Sequence, residues 1–208
     1  VTPGSRAYTC RVPKVMGSLA THREQVRERV FAALREQLYH RGFETVTLSG
    51  IAAAAGVGRT ALYNHFPDRQ ALLVAFVEAE AARYVDDLDA ALATADGPRE
   101  RLAVFARMQL RRLAEFHLPP GQALAGALDP QAYRRIAAHA DPIGDRLATI
   151  LADGAADGSM AADAPAVLAA MVSAALSGRR IVEVPPAELD STVEAAVSAV
   201  LRMVAPSN

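Results

Sequence analysis

The sequence predicts an all-α protein in two parts, a three-helix unit in front of a larger helical unit. Three observations carry this. Hydrophobic residues make up 51% of the chain with no Trp, and they are largely Ala, Leu and Val, of which Ala and Leu are strong helix formers. Apolar residues recur at helical spacing in one segment after another, with no strand-type alternation of useful length and no internal repeat. Asp or Gly beside Pro, a pairing suited to helix starts, punctuates the chain at Asp96-Gly97-Pro98, Asp141-Pro142 and Asp163 to Pro165. A chain of 208 residues can bury a core without disulfides. The expected divisions are 1–20 as a disordered or flexible arm, 21–67 as the front unit and 68–208 as the rear unit.

In order along the chain, Thr21 with Glu24 fits a capping box for a first helix. Val26, Val30, Phe31, Leu34 and Leu38 give that helix one apolar face, and Gly42 stops it. Thr47 caps a short second helix carrying Leu48, Ile51, Ala52 and Ala55. Gly56-Val57-Gly58 breaks it, and a short third helix with Leu62 and Phe66 ends before Pro67. Asp68 caps a long fourth helix to about Thr94. Further helices are expected from Asp96 to about Phe116, from Asp141 to about Ala156, from Asp163 to about Ser177, and from about Ala187 to Met203. Between Leu118 and Tyr133 only one or two helical turns are expected.

Charge and cysteine narrow the function. The net charge is −1, but residues 1–70 hold ten Lys/Arg against five Asp/Glu, and the rest of the chain holds twelve against eighteen. A basic front on an acidic rear suggests a polyanionic partner at the front. Cys10 is the single cysteine, so an intramolecular disulfide and a cysteine zinc site are excluded, and the cytoplasm is the expected compartment. No run of about 18 apolar residues marks a membrane span. Residues 1–20 lack the continuous apolar core of a signal peptide. They read as a loose terminus or as a basic arm for a minor groove, with Met16 an alternative translation start to Val1.

Residues 47–66, TLSGIAAAAGVGRTALYNHF, concentrate the function. Ala52 is small where two short helices must approach, and Gly56 sits where the turn needs a positive φ. Ile51, Val57 and Leu62 then form a shared core with the first helix, leaving Arg59 through His65 polar and exposed. That is the geometry of a helix-turn-helix whose second helix enters a major groove. The alternative is a plain helical hairpin in which Tyr63, His65 and Phe66 only pack.

Gly42-Phe43, Thr47, Ile51-Ala52, Ala55-Gly56-Val57 and the ALYNHF ending followed by Pro67-Asp68-Arg69-Gln70-Ala71-Leu72-Leu73 resemble the tetracycline-repressor (TetR) family of bacterial regulators, over about residues 23–76. The resemblance implies DNA contacts by Thr47 to a phosphate, by Arg59 and Thr60 to base edges or phosphates, and by Tyr63 and His65 to the backbone. It also implies a base contact for Asn64 and a phosphate contact for Arg69. Arg59 has the geometry to read guanine O6/N7 in bidentate fashion. One residue departs from the pattern. Gly58 stands where a capping hydroxyl is usual, so its side-chain oxygen is lacking. A helical ligand- or protein-binding module with weak or vestigial DNA binding is therefore the alternative.

In the rear unit, Val167, Leu168, Met171, Val172, Ala175 and Leu176 form one apolar stripe, and Val193, Ala196, Val197, Val200, Leu201 and Val204 another. The resemblance implies that these last two long helices pair with their copies in a homodimer; the alternative is intramolecular core. Phe105, Met108, Gln109, Arg112, Phe116 and His117 are candidates for a small-molecule effector pocket, with ordinary core or surface roles as the alternative. Asp86, Asp87 and Asp89 read as a solvated face rather than a metal site. There is no phosphate loop, metalloprotease helix or nucleophile elbow. The expectation is a regulator without enzyme activity, cofactor or metal, whose partners are a double-stranded DNA operator and an unidentified effector.

Overall fold

In the computed structural model, described for residues 18–41, 45–115, 128–161, 164–177, 181 and 183–206, regular structure is helical throughout. Helix α1 spans Ser18–Arg41 and buries Val26, Val30, Phe31, Leu34 and Leu38 along one side. It already runs at Ser18, upstream of the expected start, because Ser18-Leu19-Ala20 contains no helix breaker. Thr21 therefore lies inside the first turns and does not cap, and the expected loose arm is at least three residues shorter. The remainder of that arm, Gly42 and Phe43 fall outside the described residues.

Two short helices follow, α2 (Leu48–Ala54) and α3 (Arg59–His65). The extended Thr47 accepts a hydrogen bond from the Gly50 N–H at 3.1 Å. Gly56 turns the chain at φ +61°, a conformation that costs other residues about 1–2 kcal/mol. Phe66 leaves α3 extended, as the residue before a proline must. Asp68 then caps α4 (Arg69–Ala93) by accepting from the Ala71 N–H at 2.7 Å.

The remaining helices are α5 (Gly97–Glu115), α6 (Pro130–Ala137), α7 (Asp141–Ala156), α8 (Pro165–Leu176) and α9 (Leu189–Met203). α6 is longer than the turn or two expected. Asp129 caps it, accepting from the N–H groups of Gln131 and Ala132, with Pro130 in the first turn. Two expected aspartate caps are corrected. At α5 the bond runs the other way, from the Asp96 N–H to the Glu100 carboxylate at 2.8 Å. At α7 no side chain caps at all, because the chain arrives already helical through the short 3₁₀ turn Ala138–Ala140. The cap expected from Asp163 lies outside the described residues, and α8 opens from Ala164 at φ +51°.

The apolar residues form two clusters. The first joins α1, α2 and α3 with the start of α4 through Phe76, and takes in Leu128 and Ala132 from the α6 region. It thus runs past residue 67. The second lies between α4, α5, α7, α8 and α9, from Tyr84 to Val204. Ion pairs stitch this body together: Arg107 to Glu194 and Arg111 to Asp190 join α5 to α9, and Arg146 to Asp89 joins α7 to α4. The Arg146 guanidinium hydrogen-bonded to Asp89 holds its carboxyl below the usual aspartate range. Asp89 is thus an inter-helix anchor within the acidic run.

Candidate nucleic-acid interface

The head is built so that α3 has one side for the protein and the rest for a partner. Leu62 is fully buried and is the single buried residue of α3. It packs in the cluster of Val30, Leu34, Ile51 and Phe66. Arg59, Thr60, Tyr63 and Asn64 are exposed, Tyr63 by 50% in spite of its ring. These four occupy the two exposed turns of a short helix that is held from beneath. Arg59 and Thr60 sit at its N-terminal end, where a recognition helix offers side chains to base edges.

The other candidates serve in part as scaffold. His65 is half-buried, its ring tilted against Phe66 at 6.1 Å. Arg69 is half-buried in the first turn of α4 and makes interactions within the protein. Thr47 is exposed at the start of α2, but an oxygen lone pair of its hydroxyl is committed to the Gly50 N–H. The same oxygen lies 3.4 Å from the Ser49 hydroxyl, and a pair of neighbouring hydroxyls has a proton to offer a phosphate oxygen. Gly58 takes φ −60°, ψ 139° and gives α3 no side-chain cap, as its lack of a side chain requires. The N–H groups of the first turn of α3 thus receive nothing from this residue's side chain.

The effector candidates divide. Phe105 is 2% exposed and belongs to the body's core, where it packs with Leu102, Leu110 and Val193. Met108 and Gln109 are half-buried. Arg112 donates to the Glu80 carbonyl at 3.1 Å and lies over the Tyr84 ring at 4.7 Å. Desolvation there lowers its pKa, opposed by the charge of Glu80. Phe116 and His117 lie outside the described residues. A cleft of about 200 Å³ opens elsewhere, between the start of α4 and α6, with Asp68, Gln70, Asp129 and Arg135 in its lining.

Sequence reasoning passed over Glu80. It is 5% exposed and paired with Arg35 of α1. The signal was present in the spacing: Phe76, Glu80 and Tyr84 follow one another at i, i+4 along the buried side of α4.

Comparison with known proteins agrees with this geometry. Residues 30–76 match the family model described as bacterial regulatory proteins, tetR family. Over 82 residues the chain is 37% identical to the HTH-type transcriptional regulator AlkX of Mycobacterium tuberculosis (strain ATCC 25618 / H37Rv), a match covering 39% of this chain and 37% of that one. The similarity thus spans under two fifths of that relative's length. The fold as a whole is similar to a transcriptional regulator from Saccharomonospora viridis in complex with choline, with a TM-score of 0.72, 18% identity, and 89% and 98% of the two chains covered. It is also similar to the regulator FadR from Bacillus subtilis in complex with stearoyl-CoA, with a TM-score of 0.66, 16% identity, and 85% and 97% covered. Residues 30–76 thus form a head of the kind described by the tetR family of bacterial regulatory proteins, carried on a body similar in fold to these solved regulators.

Proposed function

We propose that the protein is a homodimeric transcriptional repressor that places two α3 helices in successive major grooves of a near-palindromic operator. A small effector binding the body would release it. The observation that supports this most is α3 itself, which buries Leu62 and turns Arg59, Thr60, Tyr63 and Asn64 to solvent. Exposure of a tyrosine ring and three polar side chains on one short helix has no packing reason in the isolated chain. Thr47 and Arg69 flank the helix as phosphate contacts, with His65 braced on Phe66. Half-sites one helical turn apart require heads about 34–36 Å apart.

The dimer reading rests on α8, where Val167 and Met171, one turn apart, are 56% and 50% exposed. Met203 near the end of α9 is 37% exposed. These are the large apolar side chains left outside the body's core on the two helices expected to pair, and a two-fold contact between them would bury both sets. Effector chemistry follows from the body of this chain alone, since the two similar folds hold ligands as unlike as choline and stearoyl-CoA. Met108, Gln109 and Arg112 on α5 remain the candidates for it. A ligand there would act only through different affinities for two head arrangements. The reading is of a regulator and not an enzyme, acting in the cytoplasm; among the described residues no helix is long and apolar enough to cross a membrane.

The test is selection of bound duplexes from a random DNA pool, followed by titration of the winning sequence. A two-fold symmetric site is the expected winner. Arg59→Ala should lower affinity for it and relax the base preference at one position in each half-site, by about 1–3 kcal/mol if the contact is bidentate. Arg59→Ala protein that selects the same site with equal affinity would remove the assigned readout.

A further inference from the structure

Helix α4 serves both apolar cores. Leu72 through Phe76 belong to the head's core, and Tyr84 and Leu88 to the body's. Glu80 stands between them on the same stripe, the one buried charged residue among those described. An apolar side chain at this place would join the two cores, whereas a buried carboxylate must be paired. From the head, Arg35 of α1 donates its Nη2 to Glu80 Oε1 at 2.5 Å, while its guanidinium lies 5.8 Å from the Phe76 ring centre. Arg83, one turn along α4, approaches the same oxygen at 3.3 Å. From the body, Arg112 of α5 holds the Glu80 carbonyl and covers Tyr84. A single turn of α4 is thus gripped from both sides.

Stability is a weak reason for such an arrangement, because buried ion pairs are often replaced by packed apolar groups without loss. A charged hydrogen bond supplies a fixed length and direction, which sliding apolar surfaces do not. The lever arm makes direction matter. From Glu80 to the head end of α4 at Arg69 is about 16 Å at the helical rise. A tilt of about 10° there displaces the head by about 3 Å, close to the ~3.4 Å per base along a DNA strand. We propose that Glu80 is a positioning residue for DNA binding: its clasp with Arg35 fixes the angle between head and body, and so the half-site spacing that a dimer accepts. This rests on the reading of the head as DNA-binding.

Two variants loosen the clasp in different ways. Arg35→Met keeps an apolar stem beside Phe76 and loses the guanidinium, and Glu80→Gln keeps shape and loses charge. Arg35→Lys restores a cation. In the full chain with Cys10→Ser, dyes at Arg29→Cys on α1 and Ser198→Cys on α9, both exposed positions, report the head-to-body distance by energy transfer, with labelled subunits diluted among unlabelled ones. The parent should show one narrow distance, the two loosening variants a broader or shifted one, and Arg35→Lys a return toward the parent. On the selected operator, moving the half-sites apart by one or two base pairs should cost the parent about tenfold in affinity and the loosened variants much less, a difference typical of residues that couple distant sites. Thermal unfolding monitors the fold, and a purely structural role would lower the midpoint without changing the spacing preference. Unchanged distances and spacing in both variants of a duplex-selecting parent refute the clasp alone. A parent that selects no duplex refutes the DNA-binding reading, and the spacing role with it.

Discussion

Gly56 and Gly58 stand two positions apart and are glycine for different reasons. At φ +61° Gly56 needs the freedom that only glycine has, and a Cβ there would touch nothing within 4 Å. Gly56→Ala should therefore cost about 1–2 kcal/mol of stability, all of it in the backbone. Gly58 sits at φ −60°, open to any residue, and its Cβ position is equally empty. Gly58→Ser should instead stabilise by a few tenths of a kcal/mol through the missing cap. It should also tighten operator binding, since a steadier α3 loses less freedom on docking. Denaturant unfolding and DNA titration of the two variants check both signs. Leu62→Ala removes the buried anchor of α3 and should cost about 3 kcal/mol. The glycines, Thr47 and Leu62 were all legible in the sequence because each acts on neighbours a few residues away. For Glu80 the spacing signalled burial but not the pairing, since its partners Arg35 and Arg112 lie 45 and 32 residues off.

Among the helices, an aspartate before a proline gave the right boundary more often than the right mechanism. Asp129 caps α6 from an extended backbone, at ψ 159°. Asp141 cannot do so, because Ala140 before it is already helical. The dipeptide is the same, and the difference is the direction from which the chain arrives, which a local pattern does not contain. The α8 and α9 stripes show the same limit. Spacing revealed two apolar faces, but only packing separates Val172 and Val193, fully buried in the body, from Val167 and Met171, which are exposed. Val167→Glu with Met171→Glu should leave helix content unchanged while sedimentation shows a monomer. Loss of bivalency should then weaken operator binding by about a hundredfold or more. The α4–α7 tie makes a separate prediction. The folded-state pKa of Asp89 is depressed by Arg146, so its contribution is present above the unfolded aspartate value and lost as pH falls through the depressed one. Asp89→Asn should flatten that part of the acid limb of stability, read by thermal melts across pH.

For the whole molecule, the basic front read from the sequence has its counterpart in a head whose exposed helix opens on Arg59. Operator affinity should fall steeply as salt rises, with a log–log slope that becomes shallower by about one for each phosphate-contacting cation removed, and Arg69→Ala tests one such contact. A slope near zero in the parent would argue against a charged interface. The order and lengths of most helices were legible because helical periodicity is local. How the two cores share α4, and which α5 side chains face the core or the joint, follows from contacts between distant segments. Phe105 illustrates this: its apolar spacing suited a core more readily than a pocket wall without deciding between them, and it is buried in the core.

Leu128 and Ala132 sit in the head's apolar cluster although some fifty residues and all of α5 separate them from the rest of it. Anyone grafting this reader onto a foreign sensor would cut near Pro67 by sequence and leave behind two of the plugs that close its underside. A transplant that carries Leu128 to Ala137 along, or repaints that underside with polar residues, should stay folded where the shorter graft aggregates.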